Sequence, residues 1–208
     1  MLKKESSDRC SFSRKVVFFA TGNIHKFHEA RSILSPMSFS VAMFRVKGEE
    51  IQSDSLKEIA EAAAKNAFRK TQLPIFVEDA GLCIDALGGF PGPYAAYAYK
   101  TIHNSGILRL MENVNDRRAT FRSEIAYIDE TLCEPKCFSG ESSGEITRIE
   151  RKTAGKAAFG FDPIFQPDGS SKSFAEMTIQ EKNGFSHRAK AITKFAEWYR
   201  TARLLCGI

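Results

Sequence analysis

An α/β protein built on a mixed sheet is the fold class that this sequence predicts, and three observations predict it. Short apolar runs and amphipathic stretches alternate in β-α-β-α-β order through the N-terminal part of the chain. Two strand-like stretches then follow one another with no helix between them, as antiparallel partners do. No internal repeat, heptad seam or low-complexity tract competes with that reading.

Residues 1–14 are polar and unpatterned, so they are read as a flexible extension, and residues 15–208 as a single domain. Val16-Val17-Phe18-Phe19 forms a buried strand. Asn23 then caps a helix that runs to residue 34 and is stopped by Pro36. Residues 39–44 read as a second strand. Ser55-Leu56-Lys57-Glu58 has the form of a capping box, opening a helix with Leu56, Ile59, Ala60, Ala63 and Ala67 on one face. Pro74 ends it. Ile75-Phe76-Val77 is a short buried strand expected to terminate in Glu78-Asp79, with the backbone turning at Ala80-Gly81. A turn-rich segment, GLCIDALGGFPGPY, follows. Next come a helix over 99–113, strands over 119–128 and 136–149, a glycine-rich stretch before Phe165, and a closing helix over 186–205.

The 208 residues suffice for a substantial core, with 43% hydrophobic and 26% charged residues. A net charge of +5 suits a polyanionic partner, either a nucleic acid or a small ligand. No apolar run approaches the roughly 20 residues that span a bilayer. Lys3-Lys4 leads into polar residues rather than a signal-peptide core, so a cytoplasmic protein is expected. The five cysteines are scattered. Only Cys133 and Cys137 are close, without the further ligands of a zinc site, and reduced thiols are expected.

The chemistry is concentrated at two helix openings. His25 and Lys26 stand in the first turn of the helix capped by Asn23, where a cation costs roughly 0.3–1 kcal/mol against the dipole. His187 and Arg188 stand in the first turn after Ser186, with Lys182 just before it. Two such placements point to an anion resting on the free amides and clamped by the cations. Thr21-Gly22-Asn23 adds a glycine that lets backbone approach a ligand, flanked by side chains that donate to phosphate oxygens. No P-loop pattern is present; Gly155-Lys156 lacks its flanking residues.

Carboxylates come next. Asp79 and Glu78 end a buried strand, where ligands of open α/β sheets gather. Together with Glu49-Glu50 they can supply oxygen ligands to one Mg²⁺. In Phe159-Gly160-Phe161-Asp162-Pro163, the proline biases Asp162 to extended backbone and the phenylalanines offer flat faces to a base. His25 and His28 read as surface histidines, and Lys65, Arg69 and Lys70 as a solvated helix face.

TGNIHK, EDAGLCIDALGGFPGPY, FGFDPIF and FAEMTIQEKNGFSHRAKA, in that order, make the chain similar to the inosine triphosphate pyrophosphatases from Lys15 onward. The resemblance implies a two-lobed fold with a long twisted mixed sheet, an interlobe cleft, a homodimer, and Mg²⁺-dependent hydrolysis of aberrant purine nucleoside triphosphates to monophosphate and pyrophosphate. It implies that Thr21, Gly22, Asn23 and Lys26 hold the phosphates and that Lys182 also binds substrate. Asp79 would be proton acceptor and metal ligand, and Glu50 the second metal ligand. Phe159, Gly160, Phe161 and Asp162, with His187 and Arg188, would form the base site. Ala80 departs from the family's usual Ser and can keep only a backbone contact. Two other readings stand beside this one: a Maf-type pyrophosphatase of modified pyrimidine nucleotides, and a basic nucleic-acid-binding module, which needs cations spread along a surface.

Overall fold

The computed structural model describes residues 15–46, 48, 51–152 and 159–204. The proposed N-terminal extension, Glu49, Glu50 and Gly155-Lys156 lie outside the described residues. The elements are β1 (Lys15–Ala20), α1 (Ile24–Leu34), β2 (Phe39–Phe44), α2 (Leu56–Thr71), β3 (Ile75–Ile84), β4 (Pro91–Gly92) and α3 (Ala95–Leu110). Then follow β5 (Arg118–Ile128), β6 (Lys136–Ile146), β7 (Phe165–Pro167), α4 (Ile179–Asn183) and α5 (His187–Leu204).

The sheet order is β2-β1-β3-β5-β6-β7, with β4 added to β3. β1 pairs in parallel with β2 and β3, whereas β3, β5, β6 and β7 pair antiparallel. The mixed sheet is as expected. Its crossover helices belong to the parallel half, and its direct connection, β5 to β6, to the antiparallel half.

Three apolar clusters fix the layers. On one face Val17, Phe19, Phe76, Ile125 and Tyr127 pack against Leu34 of α1 and Ile192, Phe195 and Ala196 of α5. On the other, Ile75, Val77, Ala126 and Ile128 meet Ala60, Ala64 and Ala67 of α2. Alanines let that helix lie close to the sheet. Farther along the long strands, Leu82, Ile84, Phe121 and Ile146 join Ile107 and Met111 near the end of α3, and Phe161 and Ile164, in a second lobe.

Several expectations need correction. β3 does not end at Glu78-Asp79. It continues without a turn to Ile84, pairing Asp79 with Glu124 and Gly81 with Arg122 on β5. Gly81 serves a close approach instead: a Cβ there would lie 2.4 Å from the carbonyl oxygen of Gly92 on β4. The capping box of α2 is half formed. Ser55 Oγ accepts the Glu58 amide at 3.3 Å, but the Glu58 carboxylate takes the Ser53 hydroxyl at 2.7 Å. The third helix begins earlier than expected and is broken at His103, with φ 54° and ψ −169°. β6 stops at Ile146, and α4 is an added short helix opened by a capping box at Thr178 and Glu181.

Candidate active site

The opening of α1 is built as the sequence indicates, with one difference. Asn23 Oδ1 accepts the amides of His25 at 3.0 Å and Lys26 at 3.2 Å, and Thr21 Oγ1 accepts that of Asn23 at 3.1 Å. The cap therefore occupies amides that an anion was expected to use. Around Gly22 there is open space: a Cβ would meet nothing within 4 Å. No packing demands glycine there, which suits a position kept clear for a ligand.

Lys26 leads inward. Its Nζ donates to the Glu78 carbonyl at 3.1 Å and lies 3.0 Å from Glu78 Oε2, an ion pair without good hydrogen-bond alignment. The second helix opening reaches the same carboxylate. Arg188 Nε donates to Glu78 Oε1 at 3.1 Å, and Ser123 Oγ on β5 donates to that oxygen at 2.7 Å. Arg188 Nη1 also bonds Glu29 on α1. Lys182, from α4, bridges Glu29 at 2.8 Å and Asp162 at 2.6 Å. Three cations and three carboxylates, from α1, β3, the Asp162 loop, α4 and α5, thus close one network.

Nearly all of it is buried. Burial opposes ionisation of Glu29, but the charges of Arg188 and Lys182 outweigh it and hold the carboxyl at about 2. Burial opposes Glu78 likewise, and Arg188 and Lys26 carry its carboxyl far below the usual range. Asp162 goes the other way: burial raises it, Lys182 offsets part of that, and the nearby Glu29 adds to it. Lys182 and Arg188 stay charged, because their carboxylate partners overcome burial. The least buried cation is Lys26, with 17% of its side chain exposed against 7% for Lys182 and 3% for Arg188.

Asp79 faces away from this network. Successive strand residues point to opposite sides of a sheet. Glu78 shares the side of Phe76 with α1 and α5, and Asp79 the side of Val77 with α2. Asp79 is half-buried, and Glu124 stands directly across from it on β5, on the same face. Burial raises the Glu124 carboxyl; Lys57 and Lys194 oppose, and Glu141 and Glu61 add to the rise. Two carboxylates side by side are the hard oxygen donors that a divalent cation takes. Among the described residues no group of three or more His, Cys, Asp or Glu side chains completes a metal site. Glu50, expected as the second ligand, lies outside them.

The aromatic residues divide. Phe159 is half-buried at the edge of the network, with the His25 ring stacked on it at 5.2 Å and 28°. Lys182 Nζ lies 5.9 Å and Arg188 Cζ 6.0 Å from its centroid. Phe161, expected to offer a face to a base, is instead buried in the second lobe's core, edge-on to Tyr99. Between them Gly160 takes φ +52°, turning the chain so that one ring faces the cleft and the other the core. His187, expected as a cation, is buried and stacked on Phe121 at 4.7 Å, and burial drives it to the neutral form.

Known proteins of the same build place this arrangement. The model of the Ham1 family matches residues 17–198. The chain belongs to the Ham1 family. It is 47% identical to the dITP/XTP pyrophosphatase of Methanopyrus kandleri over 88% of this chain and 96% of that one. With the dITP/XTP pyrophosphatase of Thermococcus kodakarensis it shares 44% identity over 88% and 96%. Among solved structures, the Staphylococcus aureus Ham1 protein superposes with TM-score 0.76 at 28% identity, over 90% of this chain and all of that one. A HAM1 protein from Coxiella burnetii gives 0.75 at 30%, over 88% and 97%.

Within this Ham1 fold, the predicted residues Lys26, Asp162, Lys182 and Arg188 come together, with Thr21, Gly22, Asn23, Phe159 and Gly160 around them. Asp79 and Ala80 lie on β3 beside them, on opposite faces. Glu29 and Ser123 were missed as site residues, and Glu78, read as a possible oxygen ligand of a metal ion, instead holds Arg188 and Lys26. Glu29 had a readable signal: it lies three residues after Lys26, hence on the same helical face.

Proposed function

We propose that the protein hydrolyses nucleoside triphosphates between the α- and β-phosphates, releasing pyrophosphate, and prefers purines with an oxygen at position 6: ITP, dITP and XTP. The observation that carries this reading is the meeting of Lys26 and Arg188, from two distant helix openings, on Glu78. The names of the relatives point the same way, and an active homodimer belongs to the reading.

Lys26, the cation least enclosed by protein, is the one placed to reach phosphate oxygens, beside the open turn at Gly22. Asp79 orients the attacking water and takes its proton. Asp79 and Glu50 would hold Mg²⁺, with Glu124 alongside; the ion, when bound, offsets charge developing on the phosphates. Phe159 offers a flat face to the base. Arg188 and nearby backbone amides donate to a 6-oxo group, whereas the amine of adenine would set donor against donor and leave buried groups unpaired. Lys182 and Asp162 position Arg188 through Glu29. The nucleic-acid reading needs cations spread along a surface, whereas Lys26, Lys182 and Arg188 are gathered on buried carboxylates.

The test is pyrophosphate release from ITP, dITP, XTP, ATP and GTP with and without Mg²⁺, with UTP and dTTP as controls. Equal rates on all purines would refute the selectivity, and faster cleavage of pyrimidines would favour the Maf-type reading.

A further inference from the structure

The C-terminal half of α3, the turn after it, the residue before β5 and the segment after β6 line an open cavity of about 380 Å³. Its wall carries three arginines, Arg109, Arg117 and Arg148, against one carboxylate, Glu112. Arg117 is held rigidly by three carbonyls: Nε donates to Ile146 at 2.6 Å, Nη1 to Met111 at 2.9 Å and Nη2 to Thr147 at 2.8 Å. A guanidinium has five N–H donors; these bonds use three and leave one on each terminal nitrogen.

Some arginines of the protein meet carboxylates, and those of this cavity belong, among the described residues, to the ones that do not. Arg118, Arg122 and Arg188 all do, whereas Arg109, Arg117 and Arg148 enter no ion pair among the described residues. Burial and the neighbouring Arg148 both disfavour the Arg117 charge, with Glu145 opposing. The cavity is also far from the cleft. Arg117 precedes the first residue of β5, and Asp79 lies opposite Glu124, roughly 20 Å farther along that strand at about 3.4 Å per residue.

We propose that this cavity is a second, oxyanion-binding site that takes the phosphate of a small phosphomonoester. Three guanidinium groups against one carboxylate leave two positive charges, which a phosphate dianion neutralises and a single carboxylate does not. The Arg117 guanidinium, fixed by its three carbonyls, keeps one uncommitted N–H on each terminal nitrogen, two donors that a phosphate can use. The cavity is larger than a phosphate ion, leaving room for the esterified group over Leu108 and Met111. This site is independent of what the cleft hydrolyses.

The experiment is isothermal titration calorimetry of the full chain with inorganic phosphate and with glycerol 2-phosphate. Arg109→Ala/Arg148→Ala removes two exposed side chains that make no ion pair, and should weaken phosphate binding at least tenfold while leaving the thermal melt in place. Arg148→Ala alone should give part of that loss should the double variant fold poorly. Lys26→Ala, which disables the cleft, should leave the binding unchanged. Undiminished phosphate binding in both arginine variants, or its loss in Lys26→Ala, would overturn the proposal. So would equal displacement by chloride and by sulfate at matched ionic strength, which would reduce the effect to charge screening.

Discussion

Glu78 and Asp79 are adjacent on β3 and differ in nearly every physical respect. Glu78 is enclosed, bonded by Arg188 and Ser123, and paired with Lys26. Asp79, on the opposite face, is half-buried beside Glu124. The comparison separates two uses of a carboxylate. On the α1/α5 face it anchors cations in position; on the α2 face it is half-buried beside a second carboxylate, where the proposed function places the water and the metal ion. One peptide bond between them lets the strand's alternation serve both tasks.

The largest effect expected is at Asp79. Asp79→Asn keeps the shape and removes the base, so kcat should fall by about 10²–10⁴, the range of general-base contributions, while nucleotide binding persists. Single-turnover pyrophosphate release alongside equilibrium binding checks both halves. Unchanged turnover would sink the division of labour between the two faces.

Glu78→Ala should act on the fold instead. It leaves Arg188 and Lys26 facing a buried void, and breaking a buried pair by removing one partner costs about 3–5 kcal/mol. Urea unfolding of Glu78→Ala and Asp79→Asn side by side sharpens the contrast: the first should shift the midpoint strongly, the second little. Arg188→Ala, which strands Glu78 and Glu29, should resemble Glu78→Ala.

How much of this was legible in the sequence follows from range. Local chemistry was readable: the Asn23 cap, the parallel β1-α1-β2 unit, the closing helix after Ser186, and the oddity of cations in two helix first turns. What answers those cations was not, because Glu78 and Glu29 meet Arg188 across 110 and 159 residues of chain. The continuation of β3 through Ala80-Gly81 was misread for a related reason. Glycine marks both turns and close approaches, and only the position of β4 shows which applies here. The surroundings of Phe161 and His187 were not legible either, because burial, invisible in a single sequence, sets one ring in the second lobe's core and disfavours the charge of the other.

The same comparison has a pH signature. Folded-state Glu29 titrates at about 2 against 4.5 unfolded, and Glu78 shifts the same way, so their contribution is complete above about pH 4.5 and lost as pH falls toward 2. For Glu29 alone the shift corresponds to about 3 kcal/mol. His187, kept neutral by burial, begins the decline earlier, below about 6.5, where the unfolded chain takes up a proton that the fold refuses. Asp162, shifted upward, opposes the trend. Chemical denaturation between pH 7 and 3 should therefore show stability falling in two stages, and Glu29→Gln should flatten the lower one.

The smallest effect tests Ala80, where the resemblance to the inosine triphosphate pyrophosphatases implies serine. Ala80 lies across from Ser123 on β5, so its Cβ points to the Glu78 side of the sheet rather than the Asp79 side. A hydroxyl there has no path to the attacking water but can donate one charge-assisted hydrogen bond toward a phosphate held near Lys26. Such a bond contributes about 1.5–3 kcal/mol, the same in ground and transition states. Ala80→Ser should then lower KM about tenfold or more and leave kcat unchanged in steady-state kinetics. A rise in kcat would place the hydroxyl in the chemical step, and would mean that the two faces of β3 are less separate than their geometry indicates.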